Sequence, residues 1–188
     1  MNYKFDINLT LEDYIYYNKF WSFKSPYGKG QLTGLRIMVA VIGLIGLFFV
    51  FLRSRFTLEG IIGYVVLGIT FTLLELFIDK LMVKTLSSHI KSLAKRGKAN
   101  YSAKSTLEFL EDRMSELNEN GKLEFYYDSV ERISIILGKT VYIHVTNVLA
   151  EIIPFSCFNS GEELSLFVDF LKEKCKNAKL DVYKPLKG

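Results

Sequence analysis

The chain has 188 residues, a mass of 21.6 kDa and a formal net charge of +4. Hydrophobic residues make up 49% of it and charged residues 23%, and the apolar ones concentrate in two long runs, which excludes a simple soluble globule and a disordered chain. The polar remainder excludes a transporter with nearly all its mass in lipid.

In chain order, residues 3–9 alternate apolar and polar, the period of a half-buried strand. Thr10-Leu-Glu-Asp13 then has capping-box spacing and predicts a helix over 11–24. That helix carries Tyr14, Tyr16, Tyr17, Phe20, Trp21 and Phe23 nearly all round, which suits an interfacial helix at the headgroup layer. Residues 1–34 are therefore read as a strand and an aromatic helix. A secretory leader pattern is not expected, because the first apolar run follows thirty polar, charged and aromatic residues.

Ile37 to Leu52 carries no charge, and with its flank the span 35–52 gives about 27 Å of helix. A second span, 60–78, gives about 28 Å and contains one acid, Glu75. Together they predict a transmembrane hairpin over 35–78. Lysine and arginine flank its outer ends (Lys19, Lys24, Lys29 and Arg36 before, then Lys80, Lys84, Lys91, Lys95, Arg96 and Lys98 after), against Arg53 and Arg55 in the loop. This bias predicts a two-span, multi-pass membrane protein with both termini cytoplasmic. Ala40, Gly43 and Gly46, with Gly60, Gly63 and Gly68, mark close-packing faces, within the hairpin or in a homo-oligomer. Folding the hairpin about 56–57 sets Glu75 near Arg36, so an interfacial Arg36–Glu75 ion pair is expected.

Residues 79–98 continue as a basic juxtamembrane helix. Its Lys80, Lys84, Lys91, Lys95, Arg96 and Lys98 are candidate contacts for anionic lipid headgroups of the bilayer. From 99 to 188 the pattern becomes that of a cytoplasmic strand-rich domain, with strands at 106–111, 113–119, 122–127, 132–137, 140–145 and 148–153. Asn120-Gly121 and Gly138-Lys139 give hairpin cues, and Pro154 closes the last strand. Ser160-Gly-Glu-Glu163 opens a helix with Leu164, Phe167, Val168, Leu171 and Cys175 on one stripe. A lone strand at 3–9 is not stable by itself and must pair with strands after the hairpin. The fold class is α+β: a membrane hairpin plus an antiparallel sheet or open barrel capped by a C-terminal helix.

Leu11-Glu-Asp-Tyr14, the hairpin, Phe125-Tyr-Tyr-Asp-Ser-Val-Glu-Arg-Ile133 and Ile152-Ile-Pro-Phe-Ser-Cys-Phe158 together resemble the YcxB-like protein family of bacterial membrane proteins. The resemblance implies a pleckstrin-homology-like barrel and no established activity. Tyr127 stands where members read Trp, and Phe155-Ser156 stand where they carry a basic pair, which removes the basis for an anionic ligand at that loop.

No catalytic, metal or cofactor site is expected. His89 and His144 are scattered, Cys157 and Cys175 lack metal spacing, and no phosphate-binding glycine loop occurs. Residues 1–104 carry net +8 and residues 105–181 net −6, so nucleic acid is not an expected partner of the domain. The expected function is a membrane-tethered, non-enzymatic binding or regulatory module with an unknown protein partner. The alternative is a small oligomeric channel or transport accessory using Glu75 and the glycine faces.

Overall fold

The computed structural model describes residues 3–54, 57–97, 102–146 and 149–186. It divides into two units, Met1–Tyr14 with Asn100–Gly188, and Ile15–Ala99. The architecture is mixed helix and sheet, as expected.

In the first unit, β1 (Tyr3–Asn8) pairs antiparallel with β2 (Lys104–Phe109), in a register running from Tyr3 opposite Phe109 to Asn8 opposite Lys104. The expected pairing across the hairpin is therefore observed. Strands β3 (Arg113–Asn118) and β4 (Gly121–Tyr126) complete a sheet of order β1-β2-β3-β4. A second sheet, of order β7-β6-β5-β8, contains β5 (Arg132–Ile136), β6 (Thr140–His144), β7 (Ala150–Pro154) and β8 (Lys179–Tyr183). The last of these, β8, lies parallel to β5 and is absent from the sequence expectation. Its partner is reached only after a helix, so no hairpin cue announces it. Gly121 and Gly138 adopt φ of +129° and +68° at the two turns, a region where glycine bears no Cβ penalty.

Between the sheets, Phe5, Ile7, Leu107, Phe109, Met114, Ile133, Val141, Ile143 and Ile153 form one apolar cluster. Helix α4 (Gly161–Lys174) inserts Phe167 and Leu171 into it, both fully buried. The Phe167 ring lies 5.1 Å from Phe5 and 5.0 Å from Phe109, each edge to face, the arrangement that aligns ring quadrupoles favourably. Ser160 caps α4 by accepting from Glu163 N at 3.1 Å, while the Glu163 carboxylate accepts from Asn159 N at 2.7 Å. The reciprocal bond thus lands one residue before the cap.

Helix α1 (Leu11–Lys24) opens with the expected capping box. Asp13 N donates to Thr10 Oγ1 at 3.2 Å, and Thr10 N donates to Asp13 Oδ2 at 3.0 Å. Its Ile15, Tyr17 and Phe20 are buried within the protein, so only part of the aromatic helix is available to a headgroup layer.

The second unit contains two helices long and apolar enough to cross a membrane: α2 (Pro26–Ser54) and α3 (Leu58–Lys95). Their most apolar windows average hydropathies of 2.7 and 2.2 and lie almost wholly on the surface. Helix α2 begins nine residues before the span read from hydropathy, because Ser25 Oγ accepts from Gly28 N at 2.9 Å and Pro26 occupies the first helical position. A Cβ on Gly28 would lie 2.2 Å from Trp21 O, so only glycine allows this corner. Thr57 caps α3 by accepting from Gly60 N at 3.3 Å. The basic helix continues the second apolar span as expected, since α3 runs unbroken to Lys95.

Candidate functional site: the basic face of helix three and its acidic boundary

A 38-residue helix is about 57 Å long, close to twice the hydrocarbon thickness of a bilayer. The span ends near Asp79, so residues 80–95 extend it by about 24 Å. This extension contains no acid. Lys80, Lys84, Lys91 and Lys95 recur at spacings of four, seven and four, which places them on one face at 3.6 residues per turn. All four are exposed, and none makes an ion pair among the described residues. Lys80 Nζ lies 5.5 Å from the Phe77 ring centre, where its ammonium meets the negative ring face.

Three serines, overlooked in the charge pattern, interleave with these lysines. Lys84, Ser87, Ser88, Lys91, Ser92 and Lys95 together line one shallow groove along the helix. Ser87 Oγ is enclosed without a hydrogen-bond partner. The face thus offers ammonium and hydroxyl donors in alternation, a donor set suited to carboxylate or phosphate oxygens. The signal for the serines was their spacing of three and four from the lysines. Arg96 is exposed and follows the last helical residue, and Lys98 falls outside the described residues.

At the other end of this face, the expected ion pair is corrected. Arg36 Nη2 donates to Asp79 Oδ1 at 2.7 Å rather than to Glu75, and Glu75 Oε1 is enclosed without a partner. Glu75 is near enough to act electrostatically on Arg36, as a weaker influence than Asp79. The cause is reach. The long Arg36 side chain extends toward the polar end of the hairpin, where Asp79 sits one turn beyond Glu75 and the charged head stays hydrated.

Glycine sets how closely α2 and α3 approach. A Cβ on Gly43 would lie 3.0 Å from Phe71 Cγ, one on Gly63 3.1 Å from Val50 Cγ1, and one on Gly46 3.7 Å from Leu67 Cδ1. These glycines are used within the hairpin. Gly68 meets nothing within 4 Å.

The titratable groups of the two-sheet unit respond chiefly to burial. No group of three or more His, Cys, Asp or Glu able to hold a metal occurs among the described residues. Burial, with Arg132 assisting, pushes His144 down to about 4. Burial, with Glu116 assisting, pushes Glu151 up to about 8. Burial raises the Cys175 thiol to about 11, and raises Cys157 as well, so neither is an activated nucleophile. Tyr127 donates its hydroxyl to Leu110 O at 2.8 Å, and burial raises its pKa. His89 is exposed beside the basic groove.

Residues 109–171 match the YcxB-like protein family, a stretch running from the last residue of β2 into α4 and containing both the 125–133 and 152–158 motifs. The Leu11–Tyr14 opening and the helical hairpin lie outside the matched stretch. No curated protein and no solved structure matches the chain.

Proposed function

We propose, taking the YcxB-like match over 109–171 as premise, that this chain is a membrane-tethered, non-enzymatic binding module whose α3 extension receives an anionic partner. The observation that carries this reading is the unbroken α3, which joins an apolar span to an acid-free Lys–Ser face. The exposed apolar windows of α2 and α3 support burial in a bilayer, and the lysine bias supports an inner-membrane hairpin with both termini cytoplasmic. Two four-stranded sheets packed around α4 support a pleckstrin-homology-like barrel.

The length of α3 divides the lysines by height. Lys80 and Lys84 stand within about 8 Å of Asp79 along the helix, inside a Debye length of the headgroups. Lys91 and Lys95 stand about 18 and 24 Å beyond it, past the reach of lipid charge. Anionic lipid therefore suits the first pair and an acidic protein surface the second. Cross-linking the full chain in native membranes, then capturing it, tests this. Lys91→Glu with Lys95→Glu abolishes protein capture and leaves lipid co-purification intact. Unchanged capture refutes the reading. Alkaline-phosphatase fusions active at either terminus would overturn the topology.

The unpartnered Glu75 Oε1 favours one second reading, an oligomeric channel or transport accessory. On that reading, Glu75→Gln abolishes ion flux through the protein in liposomes. A binding module shows no flux with either residue.

A further inference from the structure

Strand β4 ends the first sheet, its only strand partner among the described residues is β3, and five of its six residues are exposed. Leu110 N donates to Arg113 O at 2.8 Å, which turns the backbone groups of Arg113, and by alternation Ser115 and Leu117, toward β2. Met114, Glu116 and Asn118 therefore bond toward β4, where they oppose Phe125, Leu123 and Gly121. The backbone N–H and C=O groups of Lys122, Glu124 and Tyr126 consequently point away from the sheet. The register from Arg113–Tyr126 to Asn118–Gly121 contains no slip, so no bulge twists this edge away, and no proline blocks it.

We propose that β4 pairs antiparallel, edge to edge, with β4 of a second copy of this chain. Charge selects the partner and the register. Outward-facing residues must oppose outward-facing residues; the alignments centred on Phe125 or Tyr126 overlap by three residues or fewer and pair no opposite charges, which leaves three. One sets Lys122 against Lys122 and another sets Glu124 against Glu124, both repulsive. The third sets Lys122 of each copy against Glu124 of the other, twice by symmetry, with the two-fold axis through Leu123. It also brings together two Leu123 side chains, each 45% exposed in the single chain. An isologous contact of this kind closes on itself and leaves no edge open for further addition. Within one copy the Glu124 carboxylate already holds Lys122 at 2.7 Å and Arg113 of β3 at 3.1 Å, so pairing two strands extends a charge ladder from groups held in place. This inference is independent of the anionic partner assigned to α3.

The test uses the full chain in membranes and then in detergent. In the paired strands, Leu123 occupies a non-hydrogen-bonded position with Cα atoms about 4.5 Å apart, within disulfide range. Leu123→Cys therefore gives an oxidised dimer that the parent chain, with its own Cys157 and Cys175, does not give. Lys122→Cys and Glu124→Cys, each opposing the other residue, do not self-link. Lys122→Glu and Glu124→Lys each weaken dimerisation by about tenfold, and the double exchange restores it. The proposal is overturned by a monomeric parent whose Leu123→Cys form stays unlinked. Self-linking at Lys122→Cys or Glu124→Cys, or a dimer indifferent to both single reversals, overturns it too.

Discussion

The Thr106 hydroxyl donates to the Asp6 carboxylate at 2.8 Å, although a hundred positions separate the two residues in the chain. The bond belongs to a ladder in which β1, ahead of both apolar helices, lies against β2, which follows them. Phe5, on the buried face of that ladder, meets Phe109, Phe158 and Phe167 with ring centres 5.0–6.0 Å apart. Phe5→Ala is expected to destabilise the two-sheet unit by about 3–5 kcal/mol, the cost of removing a buried aromatic ring. Removing residues 1–9 should cost more. Denaturant unfolding of the full chain, followed by limited proteolysis between 102 and 186, reads both. Unchanged protection after the deletion refutes strand sharing.

Arg36 answers to Asp79, so a double-mutant cycle of Arg36→Ala with Asp79→Asn should show larger coupling than one with Glu75→Gln. The two cycles, measured by thermal unfolding in detergent, rank the carboxylates directly. Larger coupling to Glu75 would restore the pairing expected from the sequence.

Two of the buried titratable groups, Glu151 and His144, give the two-sheet unit a defined pH response between about 4 and 8. Glu151 has its folded pKa raised from 4.5 to about 8, so the native state holds a proton that the unfolded state releases. Its effect lowers stability as pH rises between those values. His144 has its folded pKa lowered from 6.5 to about 4, and its effect raises stability as pH rises between those values. The two slopes cancel between about 4.5 and 6.5, leaving Glu151 alone above that range. Stability should fall by about 2 kcal/mol from pH 6.5 to 8, and Glu151→Gln should remove the fall. Melting temperatures of parent and variant at these two pH values check it.

Gly43 faces the base of the Phe71 ring, which cannot swing clear as the end of a flexible chain would. Gly43→Ala should loosen the α2–α3 pair, whereas Gly68→Ala, facing open space, should leave it unchanged. Cysteine cross-linking between Gly46→Cys and Leu67→Cys in each background measures the difference. Equal cross-linking in both would count against the close approach.

Much of this was legible in the sequence because it follows from periodicity. Tyr3 to Asn8 alternates strictly, and its need for a partner follows from the weakness of a lone strand. Thr10 and Asp13, Ser160 and Glu163, and Gly121 announce their caps and turn by spacing and residue type. Strand β8 was not legible. Lys179–Tyr183 offers only Leu180 and Val182 in alternation, and its parallel partner β5 lies beyond a helix. The partner of Arg36 was half legible: hairpin arithmetic gave its depth, while the direction in which a flexible guanidinium extends depends on where water is. Ser87, Ser88 and Ser92 were passed over because a charge tally does not register hydroxyls.

The crossing of β1 to β2 also bears on biogenesis. As the polypeptide leaves the ribosome at roughly 5–20 residues per second, its first strand must wait several seconds, unmatched, until about a hundred further residues have been made. If the hairpin became stuck with one helix across and the other outside, the two halves of the ladder would end on opposite sides of the lipid. The sheet could then never close. On the proposed membrane reading, insertion would be proofread by folding itself: only molecules whose chain returns to the side it started from would bury Phe5.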